Sequence, residues 1–252
     1  MPAAYLPAAH LSVWHLACGA FSPGIPETYK QEDRTMDFKR AVYGDRDADT
    51  VLVQMVDDHD LELIEREAAL IRELSGGQPF RLETLKVNSW NRDLSPWKAP
   101  AVFGNEDFGE GAADTLEYVL REIEPGKRTI IGGYSLAALF ALWAVYRTER
   151  FDGAAAASPS LWFPGFTDYM RDNAIRTGTV YLSLGDREEK TRNPVMAGVG
   201  NAARAALEIL KANGADCTLE WNKGNHFKDA DLRTAKAFAW VMNRFPQGGT
   251  PV

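Results

Sequence analysis

Apolar and polar positions change period many times along this chain, and the changes come in a regular order. Short runs that alternate or are apolar throughout predict strands over 36–43, 51–56, 82–88, 129–132, 153–157, 179–184 and 217–221. Between and after them, apolar residues recurring every three or four positions predict helices over 61–74, 112–123, 136–148, 166–176, 197–213 and 231–244. The first helix runs into Ser75-Gly76-Gly77 and the second into Pro125-Gly126, both strong stop signals. Alternating strands and helices imply crossover connections, so the pattern predicts an α/β fold: a mostly parallel central sheet with helices on both faces.

Two stretches fall outside this rhythm. Residues 89–110 (SWNRDLSPWKAPAVFGNEDFGE) are aromatic-rich and aperiodic, and a loop of that length in a compact domain is often functional, so it is a candidate lid. Residues 158–166 (SPSLWFPGF) follow a predicted strand and also carry aromatics. With no internal repeat, low-complexity tract or Gly/Ser linker, residues 1–252 read as a single domain, with 1–35 a peripheral N-terminal segment and the residues from Pro246 on equally peripheral.

Composition narrows the class of function. With 45% hydrophobic and 25% charged residues, the chain has ample material for a core, which excludes disordered and fibrous readings. The 28 Lys+Arg against 35 Asp+Glu leave a formal charge of −7, the wrong sign for a nucleic-acid or anionic-membrane surface. No stretch reaches the ~18 apolar residues of a membrane span. The opening MPAAYLPAAH has no Lys or Arg ahead of the interrupted run LSVWHLACGAF, unlike a secretory leader, so a cytoplasmic location is expected. Cys18 and Cys217 are too few for a disulfide framework and lack metal-site spacing, and they read as reduced, inert thiols.

The sharpest chemical signal is Gly133-Tyr134-Ser135-Leu136-Ala137, a G-x-S-x-A corner between a buried-type strand and an apolar helix. A nucleophile elbow needs small residues two before and two after its serine, because the helix passes very close to the strand there. The alternative for Ser135 is a helix N-cap after a glycine turn. Chain order separates the two, since this kind of site continues with an acid and then a histidine. Of His10, His15, His59 and His226, only His226 lies downstream, in the polar loop Asn222 to Phe227 between the last predicted strand and the last helix. The strand at 179–184 ends in Gly185-Asp186-Arg187-Glu188-Glu189-Lys190, and any of its three carboxylates is a candidate to orient the imidazole.

The elbow, the run Ala157-Ser158-Pro159-Ser160-Leu161-Trp162, the loop Arg92-Asp93-Leu94-Ser95-Pro96 and the terminal Gly224-Asn225-His226-Phe227 together resemble the esterase D-like esterases of the α/β-hydrolase superfamily, and within them the enterobactin- and salmochelin-esterase-like enzymes. The resemblance spans about residues 36–245. The Ser-Pro-Ser-Leu-Trp and His-Phe pieces are its more specific parts. It implies Ser135 as nucleophile, His226 as base and, counting from Gly185, Glu188 as acid ahead of Asp186. It further implies the backbone N–H of Leu136 as first oxyanion donor. The second would come from Val56-Asp57-Asp58-His59-Asp60, through the N–H of His59 or Asp58. Asp58 stands where the family usually has glycine, a departure that crowds the site with negative charge.

Asp57, Asp58, His59 and Asp60 crowd one strand end too tightly to converge on one ion, and helix capping by Asp60 accounts for them, so no metal is expected. Trp162 and Trp90, with Trp97, Phe103 and Phe108, are candidates to line an apolar substrate pocket. The reading is therefore a cofactor-independent serine hydrolase acting on a small-molecule ester, with no nucleic-acid or membrane partner. The alternatives are an acyltransferase or thioesterase on the same residues, or a non-catalytic binding module of the same fold.

Overall fold

The computed structural model describes residues 37–245, so His10, His15, Cys18 and the segment 1–35 lie outside the described residues. The elements in chain order are β1 (Lys39–Gly44), β2 (Thr50–Val56), α1 (Asp58–Leu74), β3 (Arg81–Lys86), α2 (Trp90–Asp93) and α3 (Ala112–Glu122). There follow β4 (Arg128–Tyr134), α4 (Ser135–Arg147), β5 (Gly153–Ala157), α5 (Phe166–Asp172), β6 (Thr179–Gly185) and a 3₁₀ turn (Glu188–Lys190). The chain closes with α6 (Pro194–Ala197), α7 (Val199–Ala212), β7 (Asp216–Asn222) and α8 (Ala230–Met242).

The strands form one sheet in the order β1-β3-β2-β4-β5-β6-β7. Only β1 runs antiparallel, pairing its Lys39 with Lys86 of β3, while β2 through β7 are mutually parallel. Parallel strands buried on both faces read as near-continuous apolar runs, and β2, β4, β5 and β6 are of that type. Val51, Val53 and Met55 of β2 join Ile131, Ala154 and Ala156 in a core completed by α3, α4, α5 and α7. Leu52, Ile130, Ala155 and Tyr181 face the other way, into a core completed by α1 and α8. Every residue of α4 from Leu136 to Tyr146 is buried, which explains its lack of a polar face.

All seven predicted strands and six predicted helices are present, with shifted ends. The helix expected over 166–176 stops at Asp172, where Asn173 turns extended, and the one expected over 197–213 is split at Gly198, which closes α6 and opens α7. Segment 89–110 is less irregular than its sequence implies. It contains α2 and a bridge between Ala99 and Phe108, and the buried Asp93 carboxylate accepts the N–H groups of Asn88 and Ser89.

Candidate active site

Three of the predicted residues meet at the carboxyl ends of the strands, the side where parallel sheets bind ligands. Ser135 directly follows β4, Glu188 lies just past β6, and His226 is in the loop after β7. His226 Nε2 stands 2.9 Å from Ser135 Oγ, and its Nδ1 stands 2.7 Å from Glu188 Oε2. The helix-cap alternative for Ser135 fails, because the cap position is Tyr134 and no side chain caps α4.

The backbone at this corner explains the sequence around it. Ser135 has φ +58°, a left-handed conformation that costs a non-glycine residue roughly 1–3 kcal/mol and must be imposed by its surroundings. Gly133 has φ +154°, and a Cβ there would lie 2.8 Å from the Cβ of Ala137. Helix and strand thus touch through the two small positions, and an alanine methyl at 137 fits where glycine is more usual.

A carboxylate only accepts hydrogen bonds, so the Nδ1 of His226 donates to Glu188 and leaves a neutral Nε2 to accept from Ser135. The buried Ser160 hydroxyl, 3.2 Å from Ser135 Oγ, then donates to it. Burial pushes the Glu188 carboxyl up, but the hydrogen bond and charge of His226, the Gly185 N–H and the Ser158 hydroxyl outweigh it and hold the group below the usual carboxylate range. Its Oε1 accepts from Gly185 N at 2.7 Å, from Ser158 Oγ at 2.9 Å and from Arg233 Nη1 at 2.9 Å, leaving Oε2 for the imidazole. Beneath the ring, the Tyr134 hydroxyl donates to the His226 carbonyl at 2.7 Å. Burial, then the charge of Glu188, pushes that phenol up to about 12 and keeps it a donor.

Asp186 has a different task. Its carboxylate accepts the N–H of Gly224 at 2.9 Å, while its own N–H binds the Asn222 carbonyl. It fastens the β6 loop to the histidine loop rather than serving its own turn. At the end of β2 the cap of α1 is Asp57, three residues earlier than expected, with Asp60 as its reciprocal partner in a capping box. Asp58 is exposed and paired with Lys86, and the His59 side chain points to solvent, 3.8 Å from Glu62. The N–H groups of Asp58 and His59 begin α1 and so have no acceptor within the helix. The same is true of Leu136 at the start of α4. Among the described residues no group of three His, Cys, Asp or Glu is arranged to hold a metal ion.

A cavity of about 340 Å³ opens beside His226, lined by Trp162, Phe227, Met196 and Val199 and by the charged Arg187, Glu188, Lys190 and Arg192. Of the aromatics expected here, only Trp162 lines it. Trp90 and Trp97 pack against the core, Phe108 is buried, and Phe103 leans on Trp162 with ring centroids 5.9 Å apart. Phe227, read in the sequence only as part of the Gly-Asn-His-Phe run and not as a pocket residue, also lines the cavity and is 87% exposed. Arg233, Tyr134, Ser158 and Ser160 were also assigned no role from sequence.

No family model matches the chain, and no curated protein matches it in sequence. Solved structures do. The siderophore hydrolase EstA from Aspergillus nidulans superposes with a TM-score of 0.61 at 18% identity, over 82% of this chain and 90% of that one. An IroE-like serine hydrolase from Shewanella oneidensis gives 0.61 at 12% identity, over 82% and 75%. The Bacillus cereus carboxylesterase gives 0.52 at 14% identity, over 85% and 98%. At these identities the likeness is one of fold, and the fold is that of the α/β-hydrolases. Among the described residues no helix is long and apolar enough to cross a membrane.

Proposed function

We propose that this chain is a serine esterase that cleaves a small-molecule carboxylic ester by way of an acyl-enzyme. The observation that carries the reading is the unbroken line of hydrogen bonds from Ser135 through His226 to Glu188, with the serine on a left-handed backbone at a strand-to-helix corner. Ser135 Oγ attacks the ester carbonyl as its proton passes to His226 Nε2, and Glu188 stabilises the imidazolium. The oxyanion is held by the N–H of Leu136 and by that of His59 or Asp58, both at helix starts where the dipole favours negative charge. The C–O bond to the alcohol breaks as His226 returns the proton to the leaving oxygen. Water, deprotonated by the same imidazole, then releases the acid. No step requires a cofactor.

The cavity beside His226 supports a finer statement. Its apolar residues and its three cations, Arg187, Lys190 and Arg192, against the single carboxylate of Glu188, suit an ester that carries both apolar bulk and negative charge. Siderophore-type esters meet that description, and one neighbour in fold is a siderophore hydrolase.

The test is covalent labelling. A fluorophosphonate is expected to add once to the wild-type chain, at Ser135 by peptide mass. Ser135→Ala is expected to lose both the label and at least about 10⁴-fold of aryl-ester hydrolysis, with its circular dichroism unchanged. Undiminished labelling of that variant, or a wild-type protein inert to both reagents, refutes the proposal.

A further inference from the structure

Arg233 lies in the first turns of α8 and is only 1% exposed, among the largest fully buried side chains described. A guanidinium stays charged at any physiological pH and has donors in a fixed planar fork. Such a group is tolerated inside a protein only where its charge is paired and its donors are used. Here Nη1 faces Glu188 Oε1 at 2.9 Å, the Tyr134 hydroxyl at 3.1 Å and Ser158 Oγ at 3.3 Å. Nη2 donates to the carbonyls of Lys223 at 3.2 Å and Asn225 at 3.0 Å.

These acceptors are not a random sample of the interior. One is the carboxylate that meets His226. Two are carbonyls in the loop that carries His226, on its N-terminal side. The Tyr134 hydroxyl is bonded in turn to the His226 carbonyl, and Tyr134 precedes Ser135 in the chain. One rigid group therefore touches the elbow, the acid and the histidine loop, which arrive from three different strands.

We propose that Arg233 is a positioning residue for the candidate triad. It clamps the outer oxygen of Glu188 and the loop before His226 to one plane, so that the Glu188–His226 hydrogen bond is already made in the resting protein. The proposal rests on the esterase reading above, but part of its test does not.

Arg233→Met, Arg233→Lys and the double variant Arg233→Met/Glu188→Gln are compared, with active sites counted by fluorophosphonate titration. In both single variants kcat per titrated site is expected to fall, by on the order of 10²-fold for Met and less for Lys, with KM within about twofold, since a small displacement of a catalytic group has that effect. The double variant is expected to lose less than the product of the two single losses, because the Glu188–His226 hydrogen bond that Arg233 holds is already weakened in Glu188→Gln and only the loop contacts remain for it to fix. It also lacks the unpaired buried charge that endangers folding of Arg233→Met. Independently of turnover, the low-field proton resonance of His226 Nδ1–H in the wild type is expected to shift upfield or vanish in Arg233→Lys. Wild-type kcat per site in a folded single variant, losses that multiply in the double variant, or an unchanged proton resonance each overturns the proposal. If the wild type takes no label, the esterase reading fails and the resonance alone decides whether Arg233 positions His226.

Discussion

Two glutamates are buried to a similar degree in this molecule and are shifted in opposite directions. Glu188, just past the carboxyl end of β6, is 8% exposed, and Glu67, in the middle of α1, is 4% exposed. Burial pushes both carboxyls up. At Glu188 the trend is reversed by His226, Gly185 and Ser158. At Glu67 it is reinforced by the nearby negative charge of Asp60 and more weakly by Asp231, with only the Gln54 side chain opposing, and the group rises well above its ordinary 4.5. Its Oε1 and the Gln54 Oε1 have no hydrogen-bond partner among the described residues, and the buried oxygen of Asp231 faces the Arg66 guanidinium at 3.3 Å. What separates the two sites is the supply of donors, not depth. Donors are concentrated around Glu188 and sparse around Glu67.

The largest expected effect tests that contrast directly. Glu188→Gln keeps the shape but removes the charge that orients and stabilises the imidazolium, so kcat is expected to fall by roughly 10³–10⁴. Glu67→Gln, in a separate cluster, is expected to leave kcat within about twofold. Equal losses in steady-state ester hydrolysis would erase the distinction.

Stability against pH sharpens it further, because the two groups act with opposite sign. A depressed carboxyl contributes stability that is fully present above its unfolded value, 4.5 for Glu188, and is lost as pH falls through the lower folded value. A raised one contributes stability that is present below its unfolded value and is lost as pH rises through the folded value. Glu67 behaves that way, and so does Asp60, which burial and the neighbouring Asp57 raise from 3.8 to about 6. Thermal melts of the wild type are therefore expected to lose ground as pH rises from about 4 toward 7, a loss that Glu67→Gln reduces. Glu188→Gln is expected to lower Tm at neutral pH while flattening the acid limb. A Glu67→Gln melt curve parallel to wild type across this range counts against the upward shift at Glu67.

The smallest expected effect concerns Asp186. Its carboxylate lies below the ordinary range chiefly because it accepts the Gly224 N–H, yet it is exposed and does not touch His226. Asn at this position can accept the same bond. Asp186→Asn is expected to cost kcat less than about tenfold, far short of Glu188→Gln. A larger loss than that of Glu188→Gln would make Asp186 the acid.

Much of this was legible in the chain. Apolar runs marked β2, β4, β5 and β6 because parallel strands are buried on both faces, and the order serine, carboxylate, histidine pointed to residues that meet in space. The strand order and the antiparallel β1 were not legible, since pairing depends on neighbours that periodicity does not name. Arg233 was missed for a different reason. Charged letters inside a helix normally mark its wet face, yet Ala230 three residues before and Ala237 four residues after flank it at helical spacing, and that placement on the apolar stripe of α8 was the available clue. The roles of Ser158 and Ser160 depend on a left-handed turn at Ser158, φ +43°, which no local pattern announces.

The least eventful stretch of the sequence, Gly153 to Ala157, has the widest reach. All five positions are buried, with α4 packed on one face of this strand and α8 on the other. A methyl added at the neighbouring Gly132 would meet the Phe238 ring at 2.6 Å, and one at Gly153 would meet Val241 at 2.5 Å. The sheet at this point is little thicker than its own backbone, and it works as a shim. It sets the gap between the helix that presents Ser135 and the helix that carries Arg233. Extra bulk in this row would therefore be passed to the imidazole through both helices, since Ala157 lies beside Tyr134 and directly before Ser158.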